Sequence, residues 1–439
     1  MSVEQSSAPS GRSQIAAQVK PVMRQIVDRI ALPYVDEVVR RLRPGDVDRV
    51  PPVESAAGPA DGLPDCFTVS HAALHEARTL ALCDVPGGAR VMLSAGASGR
   101  WYFDWIEDSY GPVTRHIGVE AYLPEPTDLP DYVQWLAADI AGEDGIAVID
   151  SGSVDLVFSG QNLEHLWPRQ MVGFFTEANR VLRDGGLLVV DSPNRELTAA
   201  YRWSMGEHTI ELTPDEAAEL FDLAGFALDH MKGVWLCRRD GVLLPFDPDP
   251  RAEGDAGLVR RFALANERPQ DSFIWWAEAR RVADADVDGL SRRVAALFTA
   301  NWGERVGRLR IFEGEARPWE DGRPGVVMHK GRPGYGTMGP WMPVPAGAFA
   351  FETTVAWSDC DDHDAPFAFL DVVADEAVVG EVALYPGGLR DGSVTAACPF
   401  EFDALRFAVH ARLRSTGTAT VTAPLSLSIT PDPWRASLG

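Results

Sequence analysis

The chain has 439 residues, which at roughly 150 per domain suggests about three folding units, and 46% of them are hydrophobic, ample for buried cores. With 64 acidic against 40 basic residues the formal net charge is -24, which repels phosphate backbones and argues against a nucleic-acid partner. Five scattered cysteines without a CxxC pair, and no apolar stretch of secretory or membrane-spanning length, point to a reducing cytoplasm and no membrane span.

Residues 1–64 read as a polar tail, an amphipathic helix pair broken near Pro33, and a Pro/Gly-rich linker. The apolar face of the helix pair is expected to pack on its own domain, with self-association into a homo-oligomer as the alternative. From residue 65 to 284 helix and strand patterns alternate. HAALHEARTLALCDV is helical, and ARVMLSAG, HIGVEA and VDLVFSG are strands. Pro168 sits where a helix would begin, and Gly185 and Gly186 would stop it before the strand LLVVDS. Thr213 and Glu216 form a capping-box pattern, and VWLCRR and FIWWAEARR read as closing strands. Such alternation buries a mostly parallel sheet between helices, an α/β fold. A connecting helix spans 285–307, and short alternating strands over 308–439 read as a β-sandwich.

Sheets of this kind bind ligands beyond the carboxyl ends of their strands. The turn after the first strand, Leu93-Ser94-Ala95-Gly96-Ala97-Ser98-Gly99, is built of small residues that allow close backbone approach. Glu120 ends the second strand, placed to accept hydrogen bonds from both hydroxyls of a ribose, and Asp139 follows the next apolar stretch, where it would meet an adenine edge.

The runs ARVMLSAGASGRWYF, HIGVE, AADI, SVDLVFSGQNLEHL and EANRVLRDGGLLVVDSPN together resemble a class I S-adenosylmethionine-dependent methyltransferase, over about half the chain. That resemblance implies a Rossmann-like domain of about seven strands with an antiparallel hairpin at one edge. It implies S-adenosylmethionine as cofactor, with Ala95, Gly96, Ala97 and Gly99 under the methionine part, Glu120 on the ribose, Asp139 and Ile140 beside the adenine, and Ser159 and Gln161 completing the cleft. The chain departs from the family pattern in having Leu93 where an acidic residue is usual, and alanine at 95 and 97 where glycine is usual. An alanine methyl restricts backbone angles and close approach, so these positions put cofactor binding in question.

For the chemical step, His165 and His208 are the candidate general bases, with Glu164 as orienter. No metal ligand set is expected: His71 and His75 lack a third ligand, and the acidic run from Asp359 to Asp364 reads as a solvated loop. An appended sandwich suits an enzyme acting on a polymer, through effective concentration. The run GYGTMGPWMPVPAGAFAFETTV also resembles the opening of jelly-roll-like modules that accompany glycosyltransferases and methyltransferases of surface polysaccharide assembly; with Tyr335, Trp341 and Trp357 as stacking faces, that resemblance implies a hydroxyl of a sugar or surface glycan as acceptor, within polysaccharide biosynthesis. The alternatives are a small natural-product acceptor and a non-catalytic glycan-binding scaffold.

Overall fold

The computed structural model describes residues 69–438 apart from 143–144, 202, 204 and 247–260. The tail, helix pair and linker expected over 1–64 lie outside the described residues.

Apolar runs rich in Val, Leu and Ile become the inner strands of one sheet because both of its faces are covered. They are β1 (Val91–Ala95), β2 (Arg115–Glu120), β3 (Val133–Ala137), β4 (Val154–Gly160) and β5 (Leu182–Pro193), with β6 (Phe226–Leu236) and β7 (Ser272–Arg281) closing one edge. The order is β3-β2-β1-β4-β5-β7-β6. All neighbours from β3 to β5 are parallel, and β7 runs antiparallel to both β5 and β6. The order therefore reverses at β1, where such sheets open a crevice.

Helices α1 (Val69–Cys83) and α2 (Arg100–Tyr110) cover one face, with Ala81, Leu82, Tyr102, Phe103 and Trp105 packed on Met92, Ala97 and Phe158. The other face carries α3 (Pro168–Val181), α5 (Pro214–Leu223) and α6 (Val287–Val306), while the short α4 (Arg195–Ala200) follows β5. Pro168 opens α3, and Thr213 and Glu216 close the expected capping box: the Glu216 N–H donates to Thr213 Oγ1 at 3.2 Å and the Thr213 N–H to Glu216 Oε2 at 2.9 Å. Asp286 caps α6 by accepting from the Gly289 N–H at 2.9 Å.

One local expectation is corrected. Gly185 and Gly186 do not terminate α3, which ends at Val181; they lie inside β5, where the pairing with β4 shifts register between Val154 and Leu156. Gly185 takes φ +69 there, so the pair makes a bulge that restores the strand to register.

After α6 come eleven strands in two antiparallel sheets. The first has the order β8 (Arg310–Ile311), β11 (Gly334–Val344), β16 (Arg406–Ser415), β13 (Ala368–Ala374), β14 (Ala377–Leu384). The second has the order β9 (Glu315–Pro318), β10 (Pro324–Met328), β17 (Thr420–Pro424), β12 (Gly347–Ser358), β15 (Gly392–Phe402), with β18 (Ser428–Thr430) also on β12. Their inner residues, among them Met342, Phe351, Phe367, Leu370 and Val421, join one apolar core with Phe174, Leu290, Phe298 and Trp302 of the α/β layer. The sandwich is thus packed on the helices through α6. Trp357 belongs to this core, ring to ring with Phe367 at 4.7 Å and 6% exposed, so it is no sugar platform. Tyr335 and Trp341 are half-buried beneath the guanidinium groups of Arg412 and Arg310.

Candidate active site

The turn after β1 settles where alanine is tolerated. Gly96 and Gly99 adopt φ +77 and +121, in the region that favours glycine, whereas Ala95 and Ala97 are not among the residues with positive φ. The two glycines of this turn are the ones the backbone requires. A Cβ on Gly96 would stand 2.8 Å from Asn162 Oδ1, so the turn also needs a bare backbone where it meets the loop after β4. The methyl groups of Ala95 and Ala97 are buried in the two opposite cores. Ala97 fits because residue 118 on β2 is glycine: a Cβ there would meet the Ala97 methyl at 3.2 Å and the Phe103 ring at 2.3 Å. Neither methyl enters the crevice.

That crevice, of about 440 Å³ counting the space open to solvent, is lined by Gly96, Glu120, Tyr122, Asp139, Ile140, Asn162, His165 and Gln170, among others. Five of the expected site residues therefore converge: Gly96, Glu120, Asp139, Ile140 and His165. Glu120 Oε1 accepts from the Tyr122 N–H at 2.7 Å and the Leu123 N–H at 3.2 Å, while Oε2 has no hydrogen bond among the described residues. Asp139 is held by the Ala141 N–H at 2.9 Å on Oδ1 and by Gln170 Nε2 at 2.7 Å on Oδ2. Ala95, Ala97 and Ser159 are buried beneath the crevice, and Ser159 Oγ accepts from Asn162 Nδ2 at 3.2 Å. Gln161, at φ +55, turns to Asp191, donating from its N–H at 3.0 Å and from Nε2 at 2.7 Å. Gly99 precedes α2 and does not line the crevice.

At the ends of β4 and β5 the site becomes buried and charged. Glu164, His165 and His208 offer ligand atoms within 4.8 Å of one another, and the two imidazoles meet edge to face at 4.9 Å. The sequence placed them 43 residues apart, and the topology joins them: the Thr209 N–H donates to the Glu164 carbonyl at 2.7 Å, which zips the His208 segment to the turn after β4. His165 Nδ1 lies 3.1 Å from the Glu207 carbonyl and His208 Nδ1 3.0 Å from Glu211 Oε1. Each Nδ1 therefore carries the proton, and each Nε2 keeps its lone pair. Glu164 Oε2 accepts from the Ser192 hydroxyl at 2.8 Å, and Oε1 is buried with no hydrogen-bond partner among the described residues.

Burial pushes the Glu164 carboxyl up to about 8 and His208 down to about 4, and it lowers His165 as well. Burial opposes ionisation of Glu211 too, but Arg308 first, then His208 and Arg305, hold its carboxyl below the usual range. Arg308 Nη1 donates to Glu211 Oε2 at 2.9 Å, and Arg305 Nη1 lies 3.4 Å from Oε1. The two arginines also donate to the carbonyls of Met205 and Trp203, and the Ala408 N–H of the sandwich donates to the Gly206 carbonyl at 3.0 Å. The end of α6 and the sandwich thus fix the segment that carries His208.

Sequence reading missed Glu211, Arg305, Arg308, Gln170 and Tyr122. It also missed Arg78 of α1, which reaches Asp191 at 2.8 Å and covers the Trp105 ring. The partners of Gln170, Arg308 and Arg78 lie 31, 97 and 113 residues away, so no local pattern marks these three. Only His208-x-x-Glu211, an i,i+3 pair of complementary types, was open to detection.

A family model of the methyltransferase domain matches residues 122–190. A protein described as a probable S-adenosylmethionine-dependent methyltransferase of Mycolicibacterium smegmatis is 38% identical over 89 residues, 20% of this chain and 34% of that protein. One so described from Mycobacterium tuberculosis is 39% identical over 127 residues, 28% of this chain and 44% of its own. The chain thus spans between a third and a half of the curated relatives it matches. Among solved structures, an S-adenosylmethionine-dependent methyltransferase of Archaeoglobus fulgidus aligns with TM-score 0.33 and 16% identity, over 48% of this chain and 94% of that one. Strand order, the glycine-bearing turn at the point of reversal and the matched residues 122–190 lead to one conclusion: the α/β region has the Rossmann-like fold of the class I, S-adenosylmethionine-dependent methyltransferases.

Proposed function

We propose that the chain binds S-adenosylmethionine in this crevice and transfers its methyl group to a hydroxyl of a sugar or glycan. The observation that carries the reading is the convergence of Gly96, Glu120, Asp139, Ile140 and His165 on one crevice at the strand ends. The residues fit the cofactor. Glu120 keeps one carboxylate oxygen for ribose hydroxyls, Asp139 and Ile140 border the adenine place, and Gly96 provides a surface that a side chain would fill. When bound, the cofactor supplies a methyl group on a cationic sulfur, open to in-line displacement. His165, with its Nδ1 proton committed to the Glu207 carbonyl, accepts the acceptor's proton at Nε2. Burial keeps His208 neutral, and Glu211 orients it beside His165. Incubation with methyl-labelled cofactor and separate panels of polysaccharides and small hydroxylated metabolites tests the reading. Label on a glycan supports it, and label on small metabolites alone overturns the glycan assignment.

A second reading, a small natural product as acceptor, is favoured by one observation. The sandwich supports the His208 segment through Gly206 and Ala408 and shares the core, so it has a structural task that needs no polymer.

A further inference from the structure

We propose that Glu164, His165 and His208 form a site for one divalent transition-metal ion of the zinc type. The three ligand atoms lie within 4.8 Å of one another. Coordination needs closer spacing than that limit, so the three ligands would draw together on the ion. A second, independent observation points to a missing partner: among the described residues Glu164 Oε1 is buried without a hydrogen bond, in a residue 1% exposed, although its other oxygen is held by Ser192. A buried carboxylate oxygen left bare is costly unless something occupies it.

The surroundings of the two imidazoles have the form that metal sites use. Metal-ligating histidines donate their second ring N–H to a carbonyl or carboxylate, which fixes the ring and leaves the other nitrogen for the metal. His165 has the Glu207 carbonyl behind it, and His208 has the Glu211 carboxylate. Arg305 and Arg308 stand on the far side of Glu211, where the carboxylate offsets their charge. Two imidazoles and one carboxylate suit zinc and its neighbours, whereas calcium and magnesium prefer all-oxygen sets. Three protein ligands leave a coordination position for a substrate oxygen or water, and His165, on the crevice wall, gives the ion a route in.

Were the ion bound, it would lower the pKa of a coordinated acceptor hydroxyl, whose proton would pass to solvent through the open crevice, and the His165 nitrogen that takes this proton in the metal-free chain would then be a ligand. The ion site stands on these side chains alone, whether or not the chain transfers methyl groups. The test uses the full chain, freed of metal with a chelator and titrated with cobalt(II) by visible absorption, then with zinc in competition. One cobalt per chain with a ligand-field band, displaced by zinc, is the expected result. His165→Ala, at the crevice wall, should weaken zinc affinity about 100-fold or more, and Glu211→Gln, behind His208, about 10- to 100-fold. No uptake of cobalt at micromolar concentration, or uptake unchanged in His165→Ala, would overturn the site. Should Glu211→Gln fail to fold, His165→Ala decides. Titration of the same preparation with S-adenosylmethionine separates the two claims: zinc bound without cofactor upholds the ion site and refutes methyl transfer.

Discussion

The two ends of the crevice are built on different principles. At the cofactor end, around β1 to β3, the shape comes from backbone: Gly96 and Gly99 in positive-φ turns, and two carboxylates partly satisfied by N–H groups two or three residues away. At the acceptor end, around β4 and β5, the shape comes from buried side chains tied to distant parts of the chain, with Glu211 held by Arg305 and Arg308 from the end of α6. The first end tolerates substitution wherever the side chain points into a core. The second fails when any member of a charged set is removed, since a buried charge without its partner is costly.

The largest effect should therefore appear at the second end. Arg308→Met leaves Glu211 with a weaker partner set, and unfolding in denaturant should show a loss of about 3–5 kcal/mol. A loss below about 1 kcal/mol would mean that the network is not what holds the His208 segment.

Lower pH attacks the same end by another route. The unfolded imidazole of His208 takes a proton as pH falls below about 6.5, while the folded one resists until about 4. Its neutrality thus supports the fold above pH 6.5, and that support is lost as pH drops toward 4, by about 3 kcal/mol. Comparing His208→Asn with the parent at pH 7 and pH 4 checks this: the variant should show a shallower decline.

For the chemistry, His165→Ala should slow methyl transfer about 100-fold with cofactor affinity unchanged, which separates the two ends functionally. At the cofactor end, Glu120→Ala should weaken cofactor binding by about 1–3 kcal/mol and leave thermal stability nearly untouched, as calorimetry and melting would show. The smallest effect is the most pointed. Ala97→Gly restores the usual family residue, yet should change cofactor affinity less than about twofold and cost about 1 kcal/mol of stability, because the methyl is packing and not obstruction. A tenfold gain in affinity would show that the alanine does obstruct the crevice.

The same contrast explains what could be read from the sequence. Strand periodicity, the capping box at Thr213 and the turn residues act within a few positions, so α5 and most strands of the central sheet were legible, as were Glu120 and Asp139; β3 was read only as an apolar stretch, and β6 begins at Phe226, eight residues before the predicted VWLCRR. The bulge at Gly185 was misread because a glycine pair after a helix looks alike whether it ends the helix or bends a strand. The alanines raised doubt because sequence gives residue identity without φ; only the fold tells that positions 96 and 99 need glycine and 95 and 97 do not. His165 and His208 were named separately, and nothing local announced that they touch, nor that Arg308 and Ala408 hold the segment between them.

The account rests on the crevice beside Gly96 and Glu120 accepting the cofactor despite those alanines. Isothermal titration of the full chain with S-adenosylmethionine measures this directly. One site per chain with a dissociation constant of about 100 μM or tighter, in the common range for enzyme substrates, is the result expected. Absence of binding at millimolar cofactor would contradict it and leave a methyltransferase fold without the chemistry.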